Sequence, residues 1–321
     1  MENVKIIGCG YAKAKVKVSN ADLEKIVETN DEWIQQRTGI QTRYVTDEEN
    51  TSDLAVKAAQ KAIEDAGIPV EDIDMILVAT TTPDCITPST ACLVQEKLGL
   101  NGKECTALDI NAACSGYVYG ITLASCLLEK YKTILVIGSE TLSKILDWTD
   151  RNTCVLFGDG AGACILQKSE SNRLFSYTKS NGDVNGVLMA QGLPIKKPLE
   201  NGTKDYGYVQ MDGKEVFRFA VKAMQESVEK VLEKANVSLE DVDLIIPHQA
   251  NIRIIRHVAK KMRLAEEKFF VNLEEFGNTS SASIAIALAC AKEQGKLQPG
   301  MKIVLTGFGA GFTCGAVYIE W

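Results

Sequence analysis

Glu71-Asp72-Ile73-Asp74-Met75-Ile76 returns 169 residues later as Glu240-Asp241-Val242-Asp243-Leu244-Ile245. A second pair keeps that offset: Thr133-Ile134-Leu135-Val136-Ile137-Gly138 and Lys302-Ile303-Val304-Leu305-Thr306-Gly307. A third likeness, Gly158-Asp159-Gly160-Ala161-Gly162 against Gly307-Phe308-Gly309-Ala310-Gly311, is offset by 149. The first half therefore carries about 20 extra residues before its glycine hairpin. Two segments at one offset point to a duplicated unit rather than to the general likeness of apolar strands.

Each copy reads the same way. A helical pattern (Leu54 to Ala66; Val216 to Ala235) precedes an acidic turn and an apolar strand. A turn, a second helix (Ser115 to Tyr131; Ser283 to Gln294), a β-branched strand and a glycine hairpin come next. Helices alternating with short, continuous apolar strands predict an α/β fold whose mostly parallel sheet is covered on both faces. The halves, 1–170 and 171–321, are expected to pack as a pseudo-dimer, with the boundary near Gln167 to Arg173. Ser180 to Asp212, rich in Gly, Asn and Lys, reads as loop or short strands. Residues 81–89, broken by two prolines, read as a second loop.

The bulk properties narrow the function classes. Of 321 residues, 45% are hydrophobic and 24% charged, which excludes a disordered or collagen-like chain. The longest apolar run, Ile284 to Ala291, is too short to cross a bilayer. The first residues start a strand-like segment rather than a signal peptide, so the cytoplasm is the expected location. A net charge of −7 argues against nucleic acid as a partner, and no membrane partner is expected. The ten cysteines lie mostly in apolar stretches and form no Cys-x-x-Cys pair. They are expected to be reduced and largely buried, and neither a metal nor another cofactor is expected.

Only two histidines are available for proton chemistry. His257 sits in a helical pattern with charges on one side and reads as a surface residue. His248 follows Leu244-Ile245-Ile246-Pro247, at the carboxyl end of a core strand, where ligands gather in α/β sheets. A core histidine and a catalytic one both fit that position. Cys114, in Asp109-Ile110-Asn111-Ala112-Ala113-Cys114-Ser115-Gly116, immediately precedes an apolar helical pattern. A helix N-terminus there is expected to lower the thiol pKa, and the small neighbours leave room for a substrate. One more buried cysteine is the plain alternative. The repeat maps Cys114 onto Ser283 and Asp109 onto Asn278, so both halves present one strand-to-helix turn. Asn278 lies between Gly277 and Thr279, ordinarily a turn position.

At Cys114, His248 and Asn278 the sequence resembles the β-ketoacyl-acyl-carrier-protein synthase III family, condensing enzymes on the thiolase fold. The resemblance covers essentially the whole chain. It rests on Asp31-Glu32-Trp33-Ile34 with Arg37-Thr38-Gly39-Ile40, on Ala112-Ala113-Cys114, and on Phe157-Gly158-Asp159-Gly160-Ala161-Gly162. Pro247-His248-Gln249-Ala250-Asn251, Gly277-Asn278-Thr279-Ser280 and Gly307-Phe308-Gly309-Ala310-Gly311-Phe312 complete it. It implies two α/β halves in an α-β-α-β-α layering, a homodimer, and a primer acyl-CoA condensed with malonyl-acyl-carrier protein. Cys114 would be the nucleophile. His248 and Asn278 would hold the malonyl thioester carbonyl, each donor contributing on the order of 3 kcal/mol. Backbone N–H groups of Cys114 and Ala310 would form the oxyanion hole, Ala310 standing where relatives have glycine.

The same resemblance implies that Trp33 and Arg151 sandwich the adenine of coenzyme A. Thr29, Arg37, Gly213, Phe217 and Asn251 would line the pantetheine path. From the residues alone, Trp33 and Arg37 are equally a structural i, i+4 pair. The acyl pocket would use Thr87, Leu142, Phe157, Met189 and Phe308. Many relatives carry Phe at the Thr87 position, reaching across the dimer interface. The smaller Thr87 predicts a primer not restricted to acetyl. Gln249, Ala250, Asn251, Ile252 and Arg253 match the carrier-protein-binding segment. Residues 249–263 hold five positive charges and no acid, among them Arg256, Lys260 and Lys261, and Arg218 extends the set. Complementary charge of that kind steers an acidic partner. Rival readings are a related acyltransferase of secondary metabolism, a non-catalytic acyl-CoA or carrier-protein-binding module, and a cysteine hydrolase. A Rossmann dehydrogenase fails, because no strand is followed by Gly-x-Gly-x-x-Gly.

Overall fold

The computed structural model describes residues 2–183, 185–192 and 207–321. Its first half runs β1 (Glu2–Lys13), β2 (Val16–Ser19), α1 (Asn20–Leu23), α2 (Asp31–Thr38), β3 (Thr42–Val45), α3 (Thr51–Ala66), β4 (Met75–Ala79), α4 (Thr90–Lys97), β5 (Thr106–Ile110), α5 (Gly116–Leu127) and β6 (Thr133–Glu140). Next come β7 (Gly160–Ser180), β8 (Leu188–Met189), β9 (Gln210–Met211), α6 (Gly213–Ala235), β10 (Leu244–Pro247), α7 (Ile252–Met262), α8 (Leu273–Phe276), α9 (Ala282–Glu293), β11 (Lys302–Gly309) and β12 (Thr313–Glu320).

The alternation of apolar residues along the strands builds five layers. In β4, Met75 and Leu77 join one core while Ile76 and Val78 join another. In β6 the same split separates Ile134 and Val136 from Leu135 and Ile137. In the second half, Leu244, Ile246, Ile303 and Leu305 face the first of these cores, while Ile245 and Val304 face a third. Successive side chains on a strand point to opposite faces. The shared central core takes α5 and α9, the outer core of the first half takes α3, and that of the second takes α6 and α7. The layering is therefore α-β-α-β-α, as expected.

The repeat survives in the geometry. Helices α3 and α6 end at Ala66 and Ala235, strands β4 and β10 start at Met75 and Leu244, and β6 and β11 cover Thr133–Glu140 and Lys302–Gly309. The recurring acidic turn has a physical reason. Asp74 Oδ2 accepts the Lys132 and Thr133 N–H groups (2.8 and 3.0 Å), and Asp243 Oδ2 accepts the Lys302 N–H (2.8 Å). Each aspartate ties the start of one strand to the start of its neighbour.

The expectation of a mostly parallel sheet is corrected. The strand path is β10-β11-β12-β7-β6-β4-β5, with β1 on β7. Only β4–β5, β4–β6 and β10–β11 are parallel; β6–β7, β7–β12, β11–β12 and β1–β7 are antiparallel. Antiparallel strands can be joined by a short hairpin, and β11 and β12 are joined in that way. Burial on both faces gives β4, β6, β10, β11 and β12 much the same apolar reading, whatever their direction. Gln167 to Arg173 lies inside β7, which pairs with β6 and β1 in its first part and with β12 from Leu174. Between Ser180 and Asp212, β8 and β9 pair antiparallel, and residues 184 and 193–206 of that stretch lie outside the described residues. Among the described residues, no helix is long and apolar enough to cross a membrane.

Candidate active site

Cys114 sits in a 3-10 turn, Ala113–Ser115, between β5 and α5. His248 follows β10 directly, and Asn278 lies between α8 and α9. All three line one cavity of about 200 Å³. Among the described residues four non-glycine residues have positive φ, and two of them, Asn236 and Arg263, close α6 and α7. The other two, Ala113 (φ 46°) and Ser280 (φ 47°), sit beside Cys114 and Asn278. Strained backbone of this kind concentrates at sites where side chains must be aimed.

Each of the three side chains is oriented by a neighbour. The Cys114 thiol donates to Ser280 Oγ at 3.3 Å. His248 Nδ1 is 2.6 Å from Ser283 Oγ, and Phe308 meets the imidazole edge-on at 5.1 Å. Asn278 Oδ1 accepts the Ser280 N–H (2.9 Å), which fixes the amide and leaves Nδ2 as its free donor end. The Asn278 backbone is stitched to the loop before β7: its N–H donates to Leu156 O (2.8 Å) and its carbonyl accepts the Gly158 N–H (3.0 Å). Gly309 closes the site, since a Cβ there would lie 2.7 Å from Cys114 N. Ser283 and Ser280 are site residues that the motifs do not single out. Only the repeat, which places Ser283 opposite Cys114, signals the first.

Burial controls the electrostatics. It pushes the Cys114 thiol up to about 12, against the opposing effects of the Ser280 hydroxyl and the Cys114 N–H. The expected low thiol pKa is thus corrected: the helix start is present, but a dry cavity penalises the thiolate more. Burial also drops His248 to about 3, so the ring is neutral at pH 7.

The cavity wall collects most of the other predicted residues. Leu142, Phe157, Met189 and Phe308 line it, as do Ala310, Gly213, Phe217, Ala250 and Asn251. Ile145, Leu156 and Val209, not predicted, complete the apolar side. Thr87 is exposed in the 81–89 loop and is absent from the wall of its own chain's cavity, and Ile86 beside it is 74% exposed.

Thr29, Trp33, Arg37 and Arg151 group outside the cavity. Asn251 Nδ2 donates to Arg37 O (3.0 Å), joining this group to the wall. The Arg151 and Arg37 guanidinium carbons lie 5.1 and 5.7 Å from the Trp33 ring centre, and Arg151 also donates to Glu28 O. Arg151 therefore stacks on Trp33 directly, and a base between them needs Arg151 to swing out. The Thr29 hydroxyl is buried without a partner among the described residues.

Of the carrier-binding set, Arg218, Arg253, Arg256, Lys260 and Lys261 are exposed on α6 and α7. Arg218 pairs with Glu215 (2.7 Å) and Arg256 with Glu266 (3.2 Å), an acid from beyond the basic run. Ile252 is half-buried, with its side chain against Gly39. Gln249 is corrected. It is 1% exposed, donates to Pro247 O and Phe270 O, and accepts the Asn272 N–H. A side chain so enclosed shapes the loop and touches no partner.

The family profile described as 3-oxoacyl-[acyl-carrier-protein (ACP)] synthase III matches residues 108–182, and its C-terminal counterpart matches 232–321. The chain is 50% identical, over all of both chains, to a "Beta-ketoacyl-[acyl-carrier-protein] synthase III" of Clostridium perfringens. The crystal structure of 3-oxoacyl-[acyl-carrier-protein] synthase III from Aquifex aeolicus superposes with a TM-score of 0.91 at 44% identity, covering 99% of this chain and 100% of that one. The priming β-ketosynthase of the R1128 polyketide pathway gives 0.91 at 29% identity over 99% and 96%. This protein belongs to the β-ketoacyl-[acyl-carrier-protein] synthase III family.

Proposed function

We propose that the chain condenses an acyl-CoA primer with malonyl-acyl-carrier protein, losing carbon dioxide, to give 3-oxoacyl-carrier protein, the first condensation of type II fatty-acid synthesis. The observation that supports this reading is a buried thiol, a neutral imidazole and an oriented amide on one apolar cavity. Cys114 sulfur attacks the thioester carbonyl, the backbone N–H groups of Cys114 and Ala310 hold the oxyanion, and the proton leaves on the coenzyme A thiol. Trp33, Arg37, Arg151 and Thr29 bind the nucleotide end outside the cavity, and Phe217, Gly213 and Asn251 guide the pantetheine inward.

In the second half-reaction the malonyl C–C bond breaks and its electron pair forms an enolate. His248 Nδ1 is 2.6 Å from Ser283 Oγ, and with the Ser283 hydroxyl donating there the histidine's own proton sits on Nε2. Nε2–H and Asn278 Nδ2–H then hold the enolate oxygen. The enolate carbon attacks the acyl carbon, and Cys114 departs and takes up one proton. The exposed cations of α7 dock the acidic carrier protein, and a second copy of the chain completes a homodimer. Leu142, Phe157, Met189 and Phe308 wall the acyl chain, and Thr87 leaves room for primers beyond acetyl.

The test is intact-mass measurement after incubation with acetyl-, butyryl- and isobutyryl-CoA. One acyl adduct, largest with a C4 primer and lost in Cys114→Ala, is expected. No adduct with any primer overturns the acyl-enzyme step, and a preference for acetyl overturns the wider primer range.

A further inference from the structure

Glu140, the last residue of β6, is fully buried and has no part in the steps above. Its two oxygens have unequal surroundings. Oε2 is approached by Thr82 Oγ1 (2.6 Å), Thr81 Oγ1 (3.0 Å), Thr81 N–H (3.1 Å) and Thr80 Oγ1 (3.3 Å). All can donate: Thr82 Oγ1 accepts the Thr141 N–H and Thr80 Oγ1 accepts the Thr82 N–H, so their protons are free for Glu140. Oε1 meets the Thr81 N–H at 3.2 Å and Ser281 Oγ at 2.7 Å.

Ser281 decides the protonation state. Its Oγ is also 2.8 Å from Ala79 O. A hydroxyl has one proton. Were Glu140 a carboxylate, Ser281 would face two acceptors and satisfy only one. A proton on Oε1 resolves this: Glu140 donates to Ser281 Oγ, and Ser281 donates to Ala79 O. Oε2 then acts as the carbonyl oxygen, which matches its crowd of donors. The Cys114 thiol and the exposed Lys144 both sense Glu140. The hydrogen bonds from Thr81, Thr82 and Ser281 favour the charged form, and burial opposes them.

We propose that Glu140 is a neutral carboxylic acid and a positioning residue. It clamps the Thr80–Thr82 segment, whose Thr81 lines the cavity, to Ser281 in the turn that carries Asn278 and Ser280, and it leaves no charge beside the nucleophile. Burial, which holds its pKa above the usual carboxylate range, acts in the same direction.

Two readouts on the full chain test this. In the infrared spectrum at pH 7, wild type shows the carbonyl stretch of a protonated carboxylic acid, and Glu140→Gln lacks it. Wild type showing only carboxylate bands overturns the proposal. This readout does not depend on the proposed role of Cys114. The second is the pH profile of Cys114 alkylation, which rests on that role. Replacing a neutral acid by a neutral amide leaves the midpoint unmoved. A fall by about one pH unit, equal to about a tenfold rise in alkylation at fixed pH, shows that a charge was removed and overturns the proposal. Glu140→Leu loses acyl transfer and Glu140→Gln recovers most of it if the clamp matters. Equal activity of the two overturns the positioning role.

Discussion

The turn that carries Cys114 and the turn that carries Ser283 are the same piece of architecture used twice. Each opens a central helix, α5 or α9, and the residues stand 169 apart. One presents a thiol to the cavity, whereas the other spends its hydroxyl on His248 Nδ1. The division repeats at three more matched positions. Asp109 accepts the Thr90 and Ala91 N–H groups at the start of α4, but its counterpart Asn278 lines the cavity. Ala79 ends β4 with an ordinary carbonyl contact, while His248 follows β10 at the same place. Glu140 fills the end of β6, but Gly309 at the end of β11 must be bare to let Cys114 approach. On the proposed mechanism the duplicated frame divides the work: one half supplies the attacking atom, and the other supplies the donors.

The comparison breaks first at its nucleophile. Cys114→Ala is expected to lower acyl transfer at least about a thousandfold. Adding Ser283→Cys to it should restore nothing, because that position points its side chain at His248 rather than at the primer. Recovery of an acyl adduct in the double variant, read by intact mass, would mean that the two turns are interchangeable. Asn278→Ala comes next. Removing one oriented donor should slow malonyl decarboxylation by about a hundredfold or more while Cys114 still acylates. A loss confined to acylation would assign Asn278 to the wrong half-reaction.

Ser283→Ala sharpens the same contrast at smaller scale. Freed of its Nδ1 partner, the imidazole turns, and decarboxylation should fall by about tenfold with acylation unchanged. The pH dependence of stability tests His248 separately. Its folded pKa, about 3, lies below its unfolded value, so the neutral form stabilises the fold above the unfolded pKa. That contribution is lost as pH falls toward the folded value, about 2 kcal/mol of it between pH 7 and 5. Denaturant titrations of wild type and His248→Gln should diverge over that range. Parallel curves would mean that the ring titrates in the fold as it does in the unfolded chain.

These matched pairs also show what the chain alone discloses. The repeat is legible because Asp74 and Asp243 tie strand starts in the same way, and because strands buried on both faces keep unbroken apolar runs. That same burial hides strand direction, which is why the sheet as a whole reads as mostly parallel. Cys114, His248 and Asn278 can be found from their places at strand and turn ends. The rest is hidden because it depends on contacts between distant residues. Gln249 looks polar and exposed until Phe270 and Asn272 close over it. Arg43 is wholly buried with no carboxylate partner among the described residues, bonded instead to Asn20 Oδ1 and Val155 O at 2.8 Å. Nothing in its neighbours along the chain announces that burial. The thiol pKa reads in the wrong direction for a like reason: a helix start is visible in a sequence, but the dryness of the cavity around it is not.

The smallest expected effect lies at Asp109, where the two turns differ by a single carboxylate for amide exchange. Asp109 bonds the Thr90 and Ala91 N–H groups at 2.7 and 2.8 Å, two of the free donors at the start of α4. Ser89 serves the Cys92 N–H at 3.3 Å, so Asp109 supplies what the local cap leaves open. Asp109→Ala should therefore cost about 1–2 kcal/mol of stability, the range for removing a helix cap. Acylation of Cys114 and decarboxylation should both be retained, because the carboxylate spends its hydrogen bonds on α4. Asn278→Ala is expected to do the reverse, with a large loss of turnover and a smaller change in unfolding midpoint. Measuring both variants by denaturant titration and by the two half-reactions sets one position of the repeat against its copy. If Asp109→Ala slows either half-reaction more than it destabilises the fold, the division of labour between the halves is wrong at that position.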